Sequence, residues 1–185
     1  MVASRSRLGV LAAAVGATAL LAAGCGGSSS DTVKPEDWAN SVCSAITTWT
    51  TSVRQTGNEL RSGNVSKSSL NKAVNEFEDS TKQLSQDLKG LGRPDTESGE
   101  KAQASVEKLS TQVSADADKI KSEIKGASSL TDLQKALTSA GVTLQQMGAQ
   151  VTATFSELGN LDAKGELESA FKNADKCSSL VNSSG

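Results

Sequence analysis

The sequence contains no histidine and no tyrosine, and aromatic residues make up only 3% of its 185 residues. Without histidine, the chain lacks the commonest general base, the commonest metal ligand and the side chain that titrates near neutral pH. It also lacks the Gly-x-x-x-x-Gly-Lys loop that cradles phosphate groups and the acidic spacing of a calcium loop. We therefore expect a protein that is not an enzyme and needs no cofactor or metal.

Serine and lysine do lie three residues apart at five places, which is the spacing of a serine nucleophile with a lysine base. Because the chain is rich in both residue types and lacks the companion Ser-Asp-Asn and Lys-Thr-Gly motifs, these matches indicate coincidence on helix surfaces. The pairs are Ser69/Lys72, Ser98/Lys101, Ser105/Lys108, Ser122/Lys125 and Ser169/Lys172.

The first residues follow the order of a secretory signal. Arg5 and Arg7 form a positive region, and residues 8–21 form a run of 14 apolar and small residues, which is too short to span a bilayer comfortably. Leu21-Ala22-Ala23-Gly24-Cys25 follows, and a Gly/Ser stretch comes next. This segment resembles the lipobox of bacterial lipoproteins, with Ala22 where that family prefers leucine.

The resemblance implies that residues 1–24 are a lipoprotein signal peptide and that Cys25 becomes the first residue of the mature chain. Cys25 would carry acyl chains such as palmitate, which hold the protein on the extracytoplasmic face of the cell membrane. Two or three acyl chains make such anchoring stable, whereas one chain binds only marginally. An ordinary signal peptide with a chance cysteine is the alternative. The alanine-rich sequence suggests an actinobacterial source.

The predicted mature chain is mildly acidic. Removal of residues 1–24 takes away Arg5 and Arg7 and no acidic residue, so 17 basic and 21 acidic side chains are left, with a net charge of −4. Such a charge does not steer a protein toward nucleic acid, and it does not suggest binding to anionic lipid through a basic patch. We expect membrane attachment through the lipid alone and no nucleic-acid partner.

Cys43 and Cys177 are the cysteines left once the lipobox has taken Cys25. In an oxidising exterior compartment, this pair predicts a disulfide that closes a loop of more than a hundred residues. Two unpaired buried thiols are one alternative. A metal site built from two cysteines and no histidine is another.

Apolar residues recur at spacings of three and four from Pro35 to the C-terminus, which is the helical pattern. Residues 25–34 read as a flexible Gly/Ser tether, and residues 35–182 read as the folded domain. Five helices are expected. The first begins at Pro35 and fades at Gly57, the second covers 70–91 and is ended by Gly90, Gly92 and Pro94, and the third covers 96–125. The fourth is capped by Ser129 or Thr131 and ends near Gly159, and the last holds Leu167, Phe171, Ala174 and Val181.

No strand-like alternation accompanies this pattern, so we predict an all-α fold. Long helices joined by short turns favour an antiparallel, up-down bundle of four main helices plus a short C-terminal helix, closed by the disulfide. The fifth helix either continues the fourth after a break or covers the first. Antiparallel packing of the first and last helices would bring Cys43 level with Cys177.

Four residues are candidates for a binding groove. Trp38 and Trp49 either pack against the last helix or stack on a ligand. Gly141 and Gly148 lie seven residues apart on one face of the fourth helix, at a cost of about 1 kcal/mol each relative to alanine. They mark the close approach of a neighbouring helix, a shallow groove for a partner or apolar ligand, or simple tolerance.

These observations predict a membrane-anchored extracytoplasmic lipoprotein that acts as a binding module of the cell envelope, with an envelope protein or a small ligand as its partner. The alternative is a carrier or sensor of a small apolar ligand held within the bundle. An internal cavity would favour the carrier. A solid core with an exposed apolar patch would favour the interaction module.

Overall fold

The structure is a computed structural model that describes residues 32–62, 66–161 and 164–178. Its helices are α1 (Pro35–Ser62), α2 (Lys67–Lys89), α3 (Gly99–Gly126), α4 (Leu130–Asn160) and α5 (Glu166–Asn173), and a single 3-10 turn follows at Asp175–Cys177. Two short strands are also present, β1 (Thr32–Val33) and β2 (Arg93–Pro94). The predicted helical-bundle fold is confirmed. The predicted signal peptide, Cys25, most of the tether and Val181 lie outside the described residues.

Consecutive long helices run antiparallel, as their side-chain contacts show. In each pair of consecutive helices, residues near the C-terminus of the first helix contact residues nearer the N-terminus of the second, and residues earlier in the first contact residues later in the second. The contacts are Glu59–Lys72 and Trp49–Thr81 for α1 and α2, Ser85–Ser110 and Glu78–Lys121 for α2 and α3, and Asp116–Gln150 and Ser105–Glu157 for α3 and α4.

The core follows the predicted apolar stripes of the four long helices. Its largest fully buried side chains come from every one of them: Trp38 and Ile46 of α1, Leu84 of α2, Leu109 of α3, Met147 and Leu158 of α4. Each buried aliphatic side chain of this size contributes about 1.5–3 kcal/mol. Small and hydroxyl residues fill many of the remaining inward positions, so the core is thin for four helices of this length.

The predicted disulfide joins Cys43 of α1 to Cys177, with 5.0 Å between their Cα atoms. The relative direction of the two joined segments differs from the expected antiparallel pairing of the first and last helices. Trp38 meets Phe171 and Cys43 meets Cys177, so the contacts advance in the same order along both segments. The last helix also ends at Asn173, earlier than predicted, and Cys177 reaches α1 from the 3-10 turn. Of the two placements considered for α5, it covers α1.

The end of the bundle that holds the disulfide is also held by strand pairing. β1 pairs in parallel with β2, with Thr32 opposite Arg93 and Val33 opposite Pro94. The Trp38 indole Nε1 donates a hydrogen bond of 3.1 Å to the Gly92 carbonyl in the same region. Thr32 and Val33, which lie near the end of the predicted tether, therefore belong to the folded domain.

Two helix boundaries near one end of the bundle test the predicted helix limits. The expected end of the first helix at Gly57 is wrong, because α1 continues to Ser62 and a helical glycine costs only about 1 kcal/mol. At the start of α4, Ser129 is the cap, which confirms one of the two predicted cap residues, and Asp132 is its reciprocal partner. Both segments lie at the end of the bundle opposite the disulfide.

Candidate functional site

A cavity of about 350 Å³ lies at the end of the bundle opposite the disulfide. It is bounded by the C-terminal parts of α1 and α3 and the N-terminal parts of α2 and α4, which meet there because consecutive helices are antiparallel. Its lining consists of Val53, Thr56, Gly57, Leu60, Arg61, Leu70, Ala73, Val74, Phe77, Ile120, Ile124, Leu137, Ala140, Gly141 and Leu144.

The lining is almost entirely apolar. Among the described residues that form it, only Thr56 and Arg61 carry polar side chains. Ala73, Ala140 and Gly141 place small residues on α2 and α4 where larger ones would fill the space. A water molecule needs about two to four polar partners to be held firmly, and this wall does not offer them. The cavity therefore suits an apolar group better than water.

The two candidate glycines have different surroundings. A Cβ atom at either Gly141 or Gly148 would have nothing within 4 Å, so the close approach of a neighbouring helix, one of the readings of these residues, is wrong. Gly141 borders the cavity, as expected for a groove residue. Gly148 is exposed and is not part of this lining.

The two candidate tryptophans are core residues that do not line the cavity. Trp38 packs edge-on against Phe171 of α5, with 5.9 Å between ring centroids, which matches the packing alternative. Trp49 is only 5% exposed, and its Nε1 donates a hydrogen bond to Thr81. The hydrogen-bond partner of this indole therefore lies on α2 and not on the last helix. Neither ring is among the described residues that line the cavity.

A second, more polar depression of about 440 Å³ adjoins the cavity. Leu70 and Ile124 line both spaces, so the apolar cavity and this depression are neighbours. Lys67 at the start of α2, Lys125 at the end of α3 and the exposed Leu130 of α4 lie along it. The mouth of the site therefore combines cationic and apolar side chains.

Ion pairs brace α2 and α3 along their exposed faces. Glu78 of α2 accepts hydrogen bonds from Lys121 of α3 at 2.6 Å and from Lys82 at 2.7 Å. These two ammonium groups, Lys121 first, lower the pKa of Glu78 to about 2. At the end of the bundle that holds the cavity, hydrogen bonds from Lys72 and Gln55 lower the pKa of Glu59, which joins α2 to α1.

The cations at the mouth differ from these bracing lysines. Arg61, Lys67 and Lys125 form no ion pair with any described residue, and all three side chains are exposed. Asp132 of α4 is hydrogen-bonded to two residues of the depression, because its carboxylate accepts hydrogen bonds from Ser129 and Ser128. Those hydrogen bonds, Ser129 first, lower the pKa of Asp132.

Two further properties bear on function. Within residues 32–62, 66–161 and 164–178, histidine, cysteine, aspartate and glutamate form no group of three or more that could hold a metal ion. None of the helices in these ranges combines the length and apolar character needed to cross a bilayer.

Comparison with known proteins yields no relative for this chain: no family model, curated protein or solved structure matches it.

Proposed function

We propose that this protein is a lipid-anchored, extracytoplasmic binding protein without enzymatic activity, and that its bundle holds a small apolar ligand in the cavity at the end opposite the disulfide. The observation that carries the proposal is the cavity of about 350 Å³ with its apolar wall. Ligand sites in proteins are concave, mostly apolar and about 300–1,000 Å³ in volume. The lipobox resemblance around Cys25 supports the membrane anchor.

The ligand site is tested by filling it. Gly141→Leu adds a large apolar side chain on the cavity wall, and Gly148→Leu adds the same side chain one heptad along α4, outside the lining. Neither new Cβ atom meets a neighbour within 4 Å, so the two variants are matched. We expect a neutral hydrophobic dye, N-phenyl-1-naphthylamine, to bind the parent protein and Gly148→Leu with enhanced fluorescence, and Gly141→Leu far more weakly.

Equal dye binding by Gly141→Leu and the parent would contradict the proposal. Circular dichroism of each variant separates the loss of binding from the loss of the fold. Ala73→Leu fills the same cavity from α2 and provides a second variant should Gly141→Leu fail to fold. It is expected to weaken dye binding in the same way.

The anchor is tested separately by cell fractionation. Cys25→Ala is expected to move the protein from the membrane fraction to the soluble fraction, because it removes the acylated thiol. Ser28→Ala changes a residue of the same Gly/Ser stretch and is expected to stay in the membrane fraction. Unchanged fractionation of Cys25→Ala would refute the anchor.

A second candidate function is the docking of an envelope protein. The large apolar side chains that are exposed in the described ranges all lie on the N-terminal half of α4: Leu130 at 85%, Val142 at 52% and Leu137 at 38%. Crosslinking in intact cells tests it. A crosslinked neighbour that disappears in Leu130→Ser, while dye binding is retained, would favour docking over ligand carriage.

A further inference from the structure

We propose that the ligand is an anionic amphiphile with one acyl chain, whose chain occupies the apolar cavity and whose charged head group binds Arg61, Lys67 and Lys125. This inference rests on the proposed ligand-binding function and adds the chemical class of the ligand. Its basis is the junction of an apolar cavity with a cationic depression at one end of the bundle.

The two spaces adjoin. Leu70 and Ile124 belong to both linings, so a chain that emerges from the cavity past these two side chains would place its head group beside Lys67 and Lys125. Arg61 lines the cavity itself. Since a water molecule takes about 30 Å³ and a methylene group is of similar size, the cavity has room for about ten to twelve methylene groups.

The three cations have unused capacity to bind an anion. The ion pairs among the described residues involve other basic residues, such as Lys72, Lys82 and Lys121, which are held by glutamates. Arg61, Lys67 and Lys125 form no ion pair with a described residue. A guanidinium group can bind a carboxylate or phosphate through two parallel hydrogen bonds, and an ammonium group adds a point charge. The hydroxyl groups of Ser128 and Ser129 border the same depression.

Asp132 does not cancel this charge. Its carboxylate accepts hydrogen bonds from the side chains of Ser128 and Ser129 and from the Ser129 backbone, as part of the cap of α4. Asp132 is thus engaged in capping, and Glu123 of α3, two residues before Lys125, is half-buried, whereas Arg61, Lys67 and Lys125 are exposed.

The cavity also lies far from the point where the predicted anchor joins the fold. At 1.5 Å per residue, Val53 and Arg61 lie about 27 and 39 Å along α1 from Pro35. Use of the Cys25→Ala protein removes the protein's own chain from the experiment.

The test compares head groups on a chain of constant length. Full-length Cys25→Ala protein is titrated with dodecanoate, dodecyl phosphate, dodecanol and dodecyltrimethylammonium, each displacing N-phenyl-1-naphthylamine. We expect at least one anion to bind about tenfold or more tightly than dodecanol, because hydrogen bonds to charged groups are worth more than neutral ones. The cationic amphiphile is expected to bind most weakly. The order of dodecanoate and dodecyl phosphate distinguishes a fatty acid from a phosphorylated lipid.

Charge variants show whether the named side chains produce the preference. Lys67→Gln/Lys125→Gln is expected to reduce the preference for the anion several-fold and to leave the affinity for dodecanol unchanged. The control Lys108→Gln/Lys119→Gln removes two exposed lysines of α3 outside both linings and should leave both affinities unchanged.

Two results would overturn the inference: dodecanol binding as tightly as both anions, or the full preference persisting in Lys67→Gln/Lys125→Gln. In either case dodecanol still binds, so the proposed apolar site would stand. Failure of all four amphiphiles and of the dye to bind would instead reject the proposed function together with the inference.

Discussion

Trp49 Nε1 donates a hydrogen bond of 3.1 Å to Thr81 Oγ1 across the interface of α1 and α2. Thr81 in turn donates a hydrogen bond of 2.8 Å to the Phe77 carbonyl within α2. Both side chains are buried, so the threonine hydroxyl satisfies the indole that would otherwise lack a partner. This explains why a polar residue occupies one position of the otherwise apolar stripe of α2.

Replacement of this hydroxyl should destabilise the fold. Thr81→Val leaves the buried indole N–H of Trp49 without its acceptor, and we expect the free energy of unfolding to fall by about 1–3 kcal/mol. Urea denaturation followed by tryptophan fluorescence measures the change. Thr81→Ser keeps the hydroxyl and should lose less. Equal stability of Thr81→Val and the parent protein would show that the hydrogen bond contributes nothing net.

The disulfide should account for a large part of the stability. Cys43 and Cys177 are separated by 134 residues, and the chain-entropy model gives about 5 kcal/mol for a loop of that length. Cys43→Ala/Cys177→Ala is expected to unfold at much lower denaturant concentration than the parent. Addition of a reductant should shift the parent protein similarly and leave the double variant unchanged. The idea fails if the double variant and the parent share one unfolding midpoint.

The Glu78 cluster should make stability depend on acidic pH. Its pKa lies at about 2, below the ordinary value of 4.5, because Lys121 and Lys82 donate hydrogen bonds to the carboxylate. A carboxyl group with a lowered pKa stabilises the fold fully above 4.5, and this contribution is lost as the pH falls toward 2. We therefore expect Glu78→Gln to be less stable than the parent at pH 7, with the difference shrinking over that interval.

The control for this measurement is Glu107→Gln on α3, where the exposed carboxylate forms no ion pair with a described residue. Its stability difference from the parent should change little between pH 7 and pH 3. A Glu78→Gln difference that stays constant over the same range would contradict the role assigned to the ion pairs.

Gly99 should resist substitution although it lies in a helix. A Cβ atom there would overlap the carbonyl oxygen of Pro94 in β2, so the strand or the helix would have to shift. We expect Gly99→Ala to destabilise the protein by about 1–3 kcal/mol. Gly126→Ala has no neighbour within 4 Å and should be neutral or stabilising by up to about 1 kcal/mol. Thermal melts followed by circular dichroism compare them, and equal melting temperatures would count against the clash.

The helical fold and the disulfide could be predicted from sequence because each depends on a local or arithmetic signal. The spacing of apolar residues identifies all four long helices, and two cysteines left in a chain that is predicted to be exported predict one bridge. The boundaries were harder to predict. Gly57 interrupts the pattern of α1 without ending the helix, and the direction of α5 depends on packing rather than on its own residues.

The cavity could not be predicted from sequence beyond Gly141. Val53, Leu137 and Leu144 have the same spacing as core residues, and nothing local distinguishes a position that meets a neighbour from one that borders a void. That difference depends on how α1, α2, α3 and α4 pack against one another, because all four helices contribute to the lining. The cationic mouth was equally hidden, because Arg61, Lys67 and Lys125 come from three separate helices.

The placement of Cys43–Cys177 makes the two ends of the bundle unequal in strength. One end is held covalently and by strand pairing, whereas the other relies on apolar contacts and on exposed ion pairs such as Glu59–Lys72, which water screens. Partial opening should begin there, with faster amide hydrogen exchange in 53–62 and 130–144 than in 38–46. The proposed ligand would then enter and leave the cavity through local fluctuations of this end. The end that holds the disulfide would keep the polypeptide globally folded meanwhile.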